Sequence, residues 1–231
     1  MQQSNNVPVH LGLILDGNRR WAREHGLPTL EGHSRGYDNL REIAKAAINR
    51  GVSYVSAYIF STENWSRTPK EVKYLMDLAY RMLTKDIPEL NKEQIRVVWL
   101  GGREKVSNKL LKAIERAEEA TKGNSRGTLA LCFNYGGQEE LVDATRKIIG
   151  QGLAPTEINK EVLAAALYAP DIPPVDLLVR TSGERRLSGF MMYRTAYAEL
   201  YFTDTYWPDF SIQDLDAALA EYADRERRLG K

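Results

Sequence analysis

The stretch His10–Trp21, HLGLILDGNRRW, decides how this chain is read. Its apolar run Leu13-Ile14-Leu15 stops at Asp16, and Gly17, Asn18, Arg19 and Arg20 follow at once. The pattern predicts a buried strand feeding a turn, with a helix opening near Arg19. A helix entered through glycine offers backbone N–H groups to an anion, and arginine adds bidentate recognition of phosphate. Asp16 alone repels phosphate, so its place among these groups points to a divalent cation between carboxylate and phosphate oxygens. An ordinary strand–turn–helix junction with solvated arginines shares the same pattern, so the rest of the chain has to decide.

Working outward, apolar runs recur at 9–15, 52–60 (VSYVSAYIF), 95–100 (IRVVWL), 128–133 (TLALCF), 175–180 (VDLLVR) and 197–202 (YAELYF). Helical spacing appears between them. Tyr37–Asn49 carries Leu40, Ile43, Ala44 and Ala47 on one face, and the segment after Pro69 carries Val72, Leu75, Met76, Ala79, Met82 and Leu83. Lys105–Thr121, Glu139–Ile149, Lys160–Leu167 and Ile212–Arg227 read as further helices. This alternation predicts an α/β fold: a mostly parallel central sheet of about six strands flanked by helices. With no repeat, low-complexity tract or composition break, residues 1–231 are expected to form a single domain.

Hydrophobic residues at 43% and charged residues at 27% are those of a soluble globular protein. The 32 basic and 31 acidic residues leave a net charge of +1, so no global field draws nucleic acid and any anion site must be local. The single cysteine, Cys132, excludes an intrachain disulfide and reads as a small buried hydrophobe. With no signal peptide and no apolar stretch of membrane-spanning length, a cytoplasmic protein is expected, any membrane contact being peripheral.

In sheets of this kind ligands sit beyond the carboxyl ends of the strands, and polar clusters fall there. Asp16–Arg20 follows the first strand, Ser61–Arg67 the second, Asn134-Tyr135-Gly136-Gly137 the fourth, and Arg180–Glu184 closes the fifth. Arg20, Arg67, Arg180 and Arg186, if convergent, repel one another unless a polyanion sits among them, so one or two diphosphates form the natural ligand class. Ser61 and Ser188 could add hydroxyl donors. Asp16 and Glu199 could hold Mg²⁺, although Glu199 could equally pair with a nearby arginine. His33, at a helix entrance, reads more readily as a cap or a satisfied polar group than as a catalyst. Asn134–Gly137 could be a plain turn whose glycines supply positive φ. Tyr74, Met76, Tyr80 and Met82 read as core, or as the wall of a tunnel for a hydrocarbon tail beside the diphosphates. No zinc-ligand spacing, P-loop or G-x-G-x-x-G is present.

Taken together, LDGNRRWA, the Gly32-His33 pair, FSTENWSR, NYGG, VDLLVRTSGERRLS, YAELYFTDTYWPDF and the terminal RRLG resemble the cis-prenyltransferases, the family of undecaprenyl diphosphate synthase. These segments span nearly the whole chain in the family's order. The resemblance implies a homodimeric, Mg²⁺-dependent α/β enzyme with a hydrophobic tunnel. It would elongate an allylic diphosphate of geranyl or farnesyl type with isopentenyl diphosphate, forming Z double bonds and releasing diphosphate. It sets the chain apart from the all-helical trans-type synthases, whose DDxxD motif is absent here.

By position, the resemblance implies that Asp16 binds Mg²⁺ and helps trigger ionisation. Gly17, Asn18 and Arg20, with Arg19 and Trp21 of the same motif, would cradle the allylic diphosphate, with His33 nearby. Asn64 and Ser61 would assist condensation and proton removal. Trp65 and Arg67 would belong to a mobile loop over the site, and Arg180, Arg186 and Ser188 would hold isopentenyl diphosphate. Glu199 would complete the metal site. Arg228 and Gly230 would reach the partner subunit's active site, which is why a homodimer is expected.

Some positions depart from the family pattern. Thr29 stands where many members have an arginine near the allylic diphosphate. Gly189 replaces a frequent asparagine, and Met191-Met192-Tyr193-Arg194 replaces LLWQ. Ile59 takes a tunnel-wall place that is often alanine, which implies a product shorter than undecaprenyl. The rival readings are a non-catalytic partner subunit, a diphosphate- or lipid-binding module, and a branching condensing enzyme. Retention of Asp16, Arg20, Arg180 and Arg186 favours the elongating enzyme.

Overall fold

The apolar run of the opening stretch forms β1 (His10–Ile14), buried along its whole length, in a computed structural model that describes residues 7–225. Around it lie β2 (Tyr54–Ser61), β3 (Ile95–Leu100), β4 (Gly127–Tyr135), β5 (Leu177–Arg180) and β6 (Glu199–Phe202), in the order β3-β4-β2-β1-β5-β6. Every pairing is parallel. That explains the continuous apolar runs, since strands of a parallel sheet are covered on both faces. Of the six strands only β6, at one edge, has no buried residue.

The helices are α1 (Asn18–Glu24), α2 (Thr29–Asn49), α3 (Pro69–Lys85), α4 (Ile87–Lys92), α5 (Asn108–Thr121), α6 (Gly137–Gly150), α7 (Lys160–Ala166) and α8 (Ile212–Asp224). The larger core joins one sheet face to α2, α3, α5 and α8 through residues such as Leu40, Phe60, Leu75, Ile114 and Leu215. A smaller cluster on the other face gathers Cys132, Tyr135, Leu178, Phe190 and Met191. Cys132 is fully buried, as its setting in the apolar run suggested.

Helix α2 begins at Thr29, well before the Tyr37 that spacing alone indicates. The reason is close packing against α1. A Cβ on Gly32 would lie 2.0 Å from the Asn18 carbonyl oxygen, and one on Gly36 would lie 2.2 Å from Asn18 Oδ1. Glycine weakens helix propensity by about 1 kcal/mol, so the residues that let the two helices touch also hide the first turns from the pattern. Helix α3 starts as predicted, with Pro69 in its first turn and the Thr68 hydroxyl accepting from Glu71 N–H at 3.3 Å.

Met82 lies inside the main core, and Tyr74, Met76 and Tyr80 pack half-buried against it, so these residues follow the core reading. Beside Leu40, Met82 and Leu129 lies a small cavity of about 30 Å³, edged by Arg41, Lys45 and Glu89.

His10, at the opposite end of the sheet from the polar clusters, is completely buried. Its Nδ1 lies 2.8 Å from the Pro173 carbonyl, which can only accept, so Nδ1 carries the proton and Nε2 accepts from Ser56 Oγ at 2.7 Å. Burial lowers its pKa from 6.5 to about 4, against the opposing pull of the Pro173 carbonyl. The unfolded chain therefore takes up this proton first as pH falls. The contribution is complete above pH 6.5 and is lost towards pH 4, a change of about 3 kcal/mol. Urea unfolding of wild type is expected to weaken more steeply over that window than unfolding of His10→Gln; parallel curves would refute this.

Candidate active site

The carboxyl ends of β1, β2 and β5 open onto a cleft of about 1100 Å³. At its centre is Asp16, placed by the turn that reverses β1 into α1. Gly17 makes that turn with φ 108°, and a Cβ there would meet the Tyr206 ring at 2.8 Å, so no other residue fits comfortably. Asp16 Oδ1 accepts from Gly17 N–H at 2.8 Å and faces Arg20 at 3.3 Å, while Oδ2 accepts from Arg180 at 2.8 Å. Arg180, the last residue of β5, is 4% exposed. Its guanidinium also donates to Ser188 Oγ at 2.8 Å and to the Arg186 carbonyl, and its Nε is buried without a partner.

Glu184 bridges Arg20 at 3.3 Å and Arg186. Arg186 itself stands at the rim, 60% exposed at its side chain; its backbone, not its guanidinium, touches Arg180. Arg19, Arg20, Arg67 and Arg180 all line the cleft, balanced by Asp16, Glu71 and Glu184. Thr29, which brings no charge, lines the same wall.

His33 is buried on α2, and its Nε2–H donates to Glu71 Oε1 at 3.0 Å. The same oxygen receives Arg67 at 3.0 Å and lies 3.9 Å from Arg19 Nε. Burial lowers the His33 pKa despite the opposing Glu71 carboxylate, which keeps the ring neutral near pH 7. Burial alone would raise the Glu71 carboxyl, but the His33 hydrogen bond and the Arg67 charge bring it below the ordinary carboxylate value. Glu71 is thus an organising residue that motif reading passed over. Its one signal in the sequence is its place three residues after Thr68, on the first turn of α3.

Ser61 and Asn64 are joined by a capping box around the 3-10 turn of residues 62–66, in which Asn64 Oδ1 accepts from Ser61 N–H at 3.1 Å. Both line the cleft. With Oδ1 engaged, the Asn64 side chain offers its NH₂ group as a donor. Trp65 turns its indole behind this wall, where Nε1–H donates to Asn134 Oδ1 at 2.7 Å. Trp21 also lies outside the cleft lining, stacked on His25 at 4.2 Å.

Ile59 reaches the cleft through a bulge. Tyr58 pairs with Cys132 and Phe60 with Phe133, which leaves Ile59 as an extra residue on β2. The altered segment 189–194 faces elsewhere. Gly189, at φ 74°, accepts from Gly137 N–H at 2.9 Å, and buried Arg194 pairs with buried Glu140 at 2.8 Å.

Glu199 is not brought to Asp16 within the chain. It opens β6 in register with Leu177, three residues before Arg180, hence about 10 Å down the strand. There it pairs with Arg225 at 2.8 Å, the alternative open to it from sequence. Among the described residues no group of three His, Cys, Asp or Glu side chains gathers to hold a metal. Arg228 and Gly230 lie outside the described residues.

Known proteins resemble this chain along most of its length. The undecaprenyl diphosphate synthase family model matches residues 14–230. The isoprenyl transferase of Thermotoga maritima is 43% identical over 227 residues, 97% of each chain. The trans,polycis-polyprenyl diphosphate synthase ((2Z,6E)-farnesyl diphosphate specific) of Thermobifida fusca is 42% identical over 228 residues, 97% of this chain and 81% of that protein. The crystal structure of lavandulyl diphosphate synthase from Lavandula x intermedia in complex with dimethylallyl diphosphate superposes with a TM-score of 0.94 at 33% identity, covering 99% of this chain and 100% of that one. On the extent of these matches, the chain belongs to the cis-prenyltransferases, the family of undecaprenyl diphosphate synthase.

Proposed function

We propose that this enzyme condenses isopentenyl diphosphate with an allylic diphosphate and extends the chain through a new Z double bond, releasing diphosphate. The observation that carries the reading is Asp16 held between Arg20 and Arg180 where β1 and β5 end. Cleavage of the allylic C–O bond puts negative charge on the departing diphosphate, and fixed guanidinium groups stabilise charge where it develops. Arg20 and Arg19 serve the allylic diphosphate, with Gly17 and Asn18 giving close backbone approach. Arg180, with Ser188, serves isopentenyl diphosphate, and Arg186 closes the rim. Binding both substrates in one cleft places the double bond beside the forming cation. Ser61 and Asn64 present polar groups on the wall facing them, and the condensed cation passes a proton to the departing diphosphate as the new double bond forms.

Mg²⁺ fits the donor set: Asp16 offers one hard carboxylate, and Mg²⁺ is commonly held by one or two carboxylates with substrate phosphates supplying the rest. Asp16 is the residue that would hold it, and the ion supplies further neutralisation of diphosphate charge. The active form we propose is a homodimer, supported by the exposure of Tyr197 (83%) and Leu200 (37%) at the edge strand β6. Among the described residues no helix is long and apolar enough to cross a membrane. A cytoplasmic enzyme meeting membranes through its lipid product is consistent with that.

The test is incubation with labelled isopentenyl diphosphate and geranyl or farnesyl diphosphate, with and without Mg²⁺, resolving products by length. A ladder ending below undecaprenyl is expected, because the bulge sets the Ile59 side chain, larger than alanine, on the cleft lining. Ile59→Ala should shift the ladder towards longer products; an unchanged ladder removes Ile59 from length control. The backbone likeness to lavandulyl diphosphate synthase favours a second reading, branched condensation. Against it, segment 189–194 contributes no residue to the cleft lining. A branched product in the same assay would establish that second reading.

A further inference from the structure

Asn134 belongs to NYGG, a segment that reads in sequence as a turn. It sits near the end of β4, 7% exposed, with φ 50°. Asparagine tolerates that left-handed region better than most residues. The conformation arises from a second bulge. Phe60 pairs with Phe133 and Ser61 with Tyr135, so Asn134 is the extra residue on β4 and offsets Ile59 on β2. Rotated out of the ladder, its carboxamide lies between two loops. Oδ1 accepts from Trp65 Nε1–H at 2.7 Å, and Nδ2 donates to the carbonyls of Gly102 and Glu104, each at 2.9 Å. Gly102 N–H returns a bond to the Asn134 carbonyl at 3.0 Å, which fixes the loop after β3 from both sides. The amide orientation is therefore fully specified: the oxygen must face the indole and the nitrogen the two carbonyls.

We propose that Asn134 is a positioning residue. It ties Trp65 to the loop after β3, and so sets the 62–66 turn, whose capping Ser61 and whose Asn64 face the cleft. The inference rests on the reading that Asn64 and Ser61 act in the condensation. Trp65 is bonded directly to Asn64 in the chain, and the capping box passes its placement on to Ser61. Reacting groups must be held within a fraction of an ångström, and a misplacement of about 1 Å costs on the order of 100-fold in rate. The binding arginines lie on other elements or beyond the turn, so loss of this tie is expected in kcat and not in substrate KM.

The test compares Asn134→Gly, Trp65→Phe, their double variant and Asn64→Ala, all with Mg²⁺ and both diphosphate substrates. Asn134→Gly keeps the left-handed backbone accessible and removes the carboxamide; Trp65→Phe keeps ring packing and removes the indole N–H. Asn134→Gly is expected to lower kcat roughly 10- to 100-fold, with KM for both diphosphates within about threefold of wild type. Trp65→Phe should lower kcat in the same sense, and the double variant should be no slower than the slower single one, because both remove one tie. Wild-type kcat in folded Asn134→Gly, or losses that multiply in the double variant, would overturn the proposal. If Asn134→Gly does not fold, Trp65→Phe decides alone, and wild-type turnover there overturns it. Undiminished turnover by Asn64→Ala would instead defeat the underlying reading of Asn64, an outcome separable from failure of the Asn134 tie.

Discussion

Asp16→Asn is expected to lower kcat about 1000-fold, the scale seen when charge stabilisation at a reacting oxygen is lost. The isosteric amide keeps the turn, because Asn can still accept from Gly17 N–H as Asp16 does at 2.8 Å. It removes the charge that now sits between Arg20 and Arg180. In the ligand-free cleft that carboxylate neutralises the arginines; its loss leaves them more available to phosphate. Binding of inorganic diphosphate should therefore hold or tighten while turnover collapses. A variant with near wild-type kcat would show that Asp16 merely pairs arginines. Parallel loss of binding and turnover would show that it organises the cleft as a whole.

Glu71→Ala should act in a different way. One buried carboxylate oxygen holds His33 and Arg67, each at 3.0 Å. Its removal leaves the Arg67 guanidinium half-buried without its partner, and breaking a buried pair from one side costs about 3 kcal/mol. Stability by urea unfolding should fall by that order, and Arg67, freed from the cleft wall, should raise substrate KM about tenfold. The pH dependence follows from the lowered Glu71 pKa. The clamp is present above the unfolded carboxyl value of 4.5 and is lost as pH falls through the lower folded value. His33 shifts further down without the carboxylate that raises it. Unchanged unfolding together with unchanged KM would contradict the clamp.

Much of this was legible because parallel strands write themselves as apolar runs and end in polar clusters. The run TLALCF predicted β4, every residue of which is buried. Asp16, Arg20, Arg67 and Arg180 carry charge at strand ends, and their convergence follows once the sheet is parallel. What escaped depends on geometry that spacing does not encode. The start of α2 was masked by Gly32 and Gly36, whose value lies in contact with Asn18. The placements of Ile59 and Asn134 come from paired bulges, and a bulge shifts register without a signature in residue type. Nothing in the sequence marks Glu71 out, because the burial that makes it a clamp is set by α2 packing against α3. Glu199 stands in a matching motif, yet the register of β6 against β5 carries it away from Asp16.

The central claim is Z-selective elongation in the cleft of Asp16, Arg20 and Arg180. Its most direct test is the geometry of the first new double bond, read by NMR on the single-addition product of isopentenyl diphosphate and farnesyl diphosphate with Mg²⁺. The account predicts a Z bond in a linear, head-to-tail product. An E bond, or a branched skeleton, would contradict it.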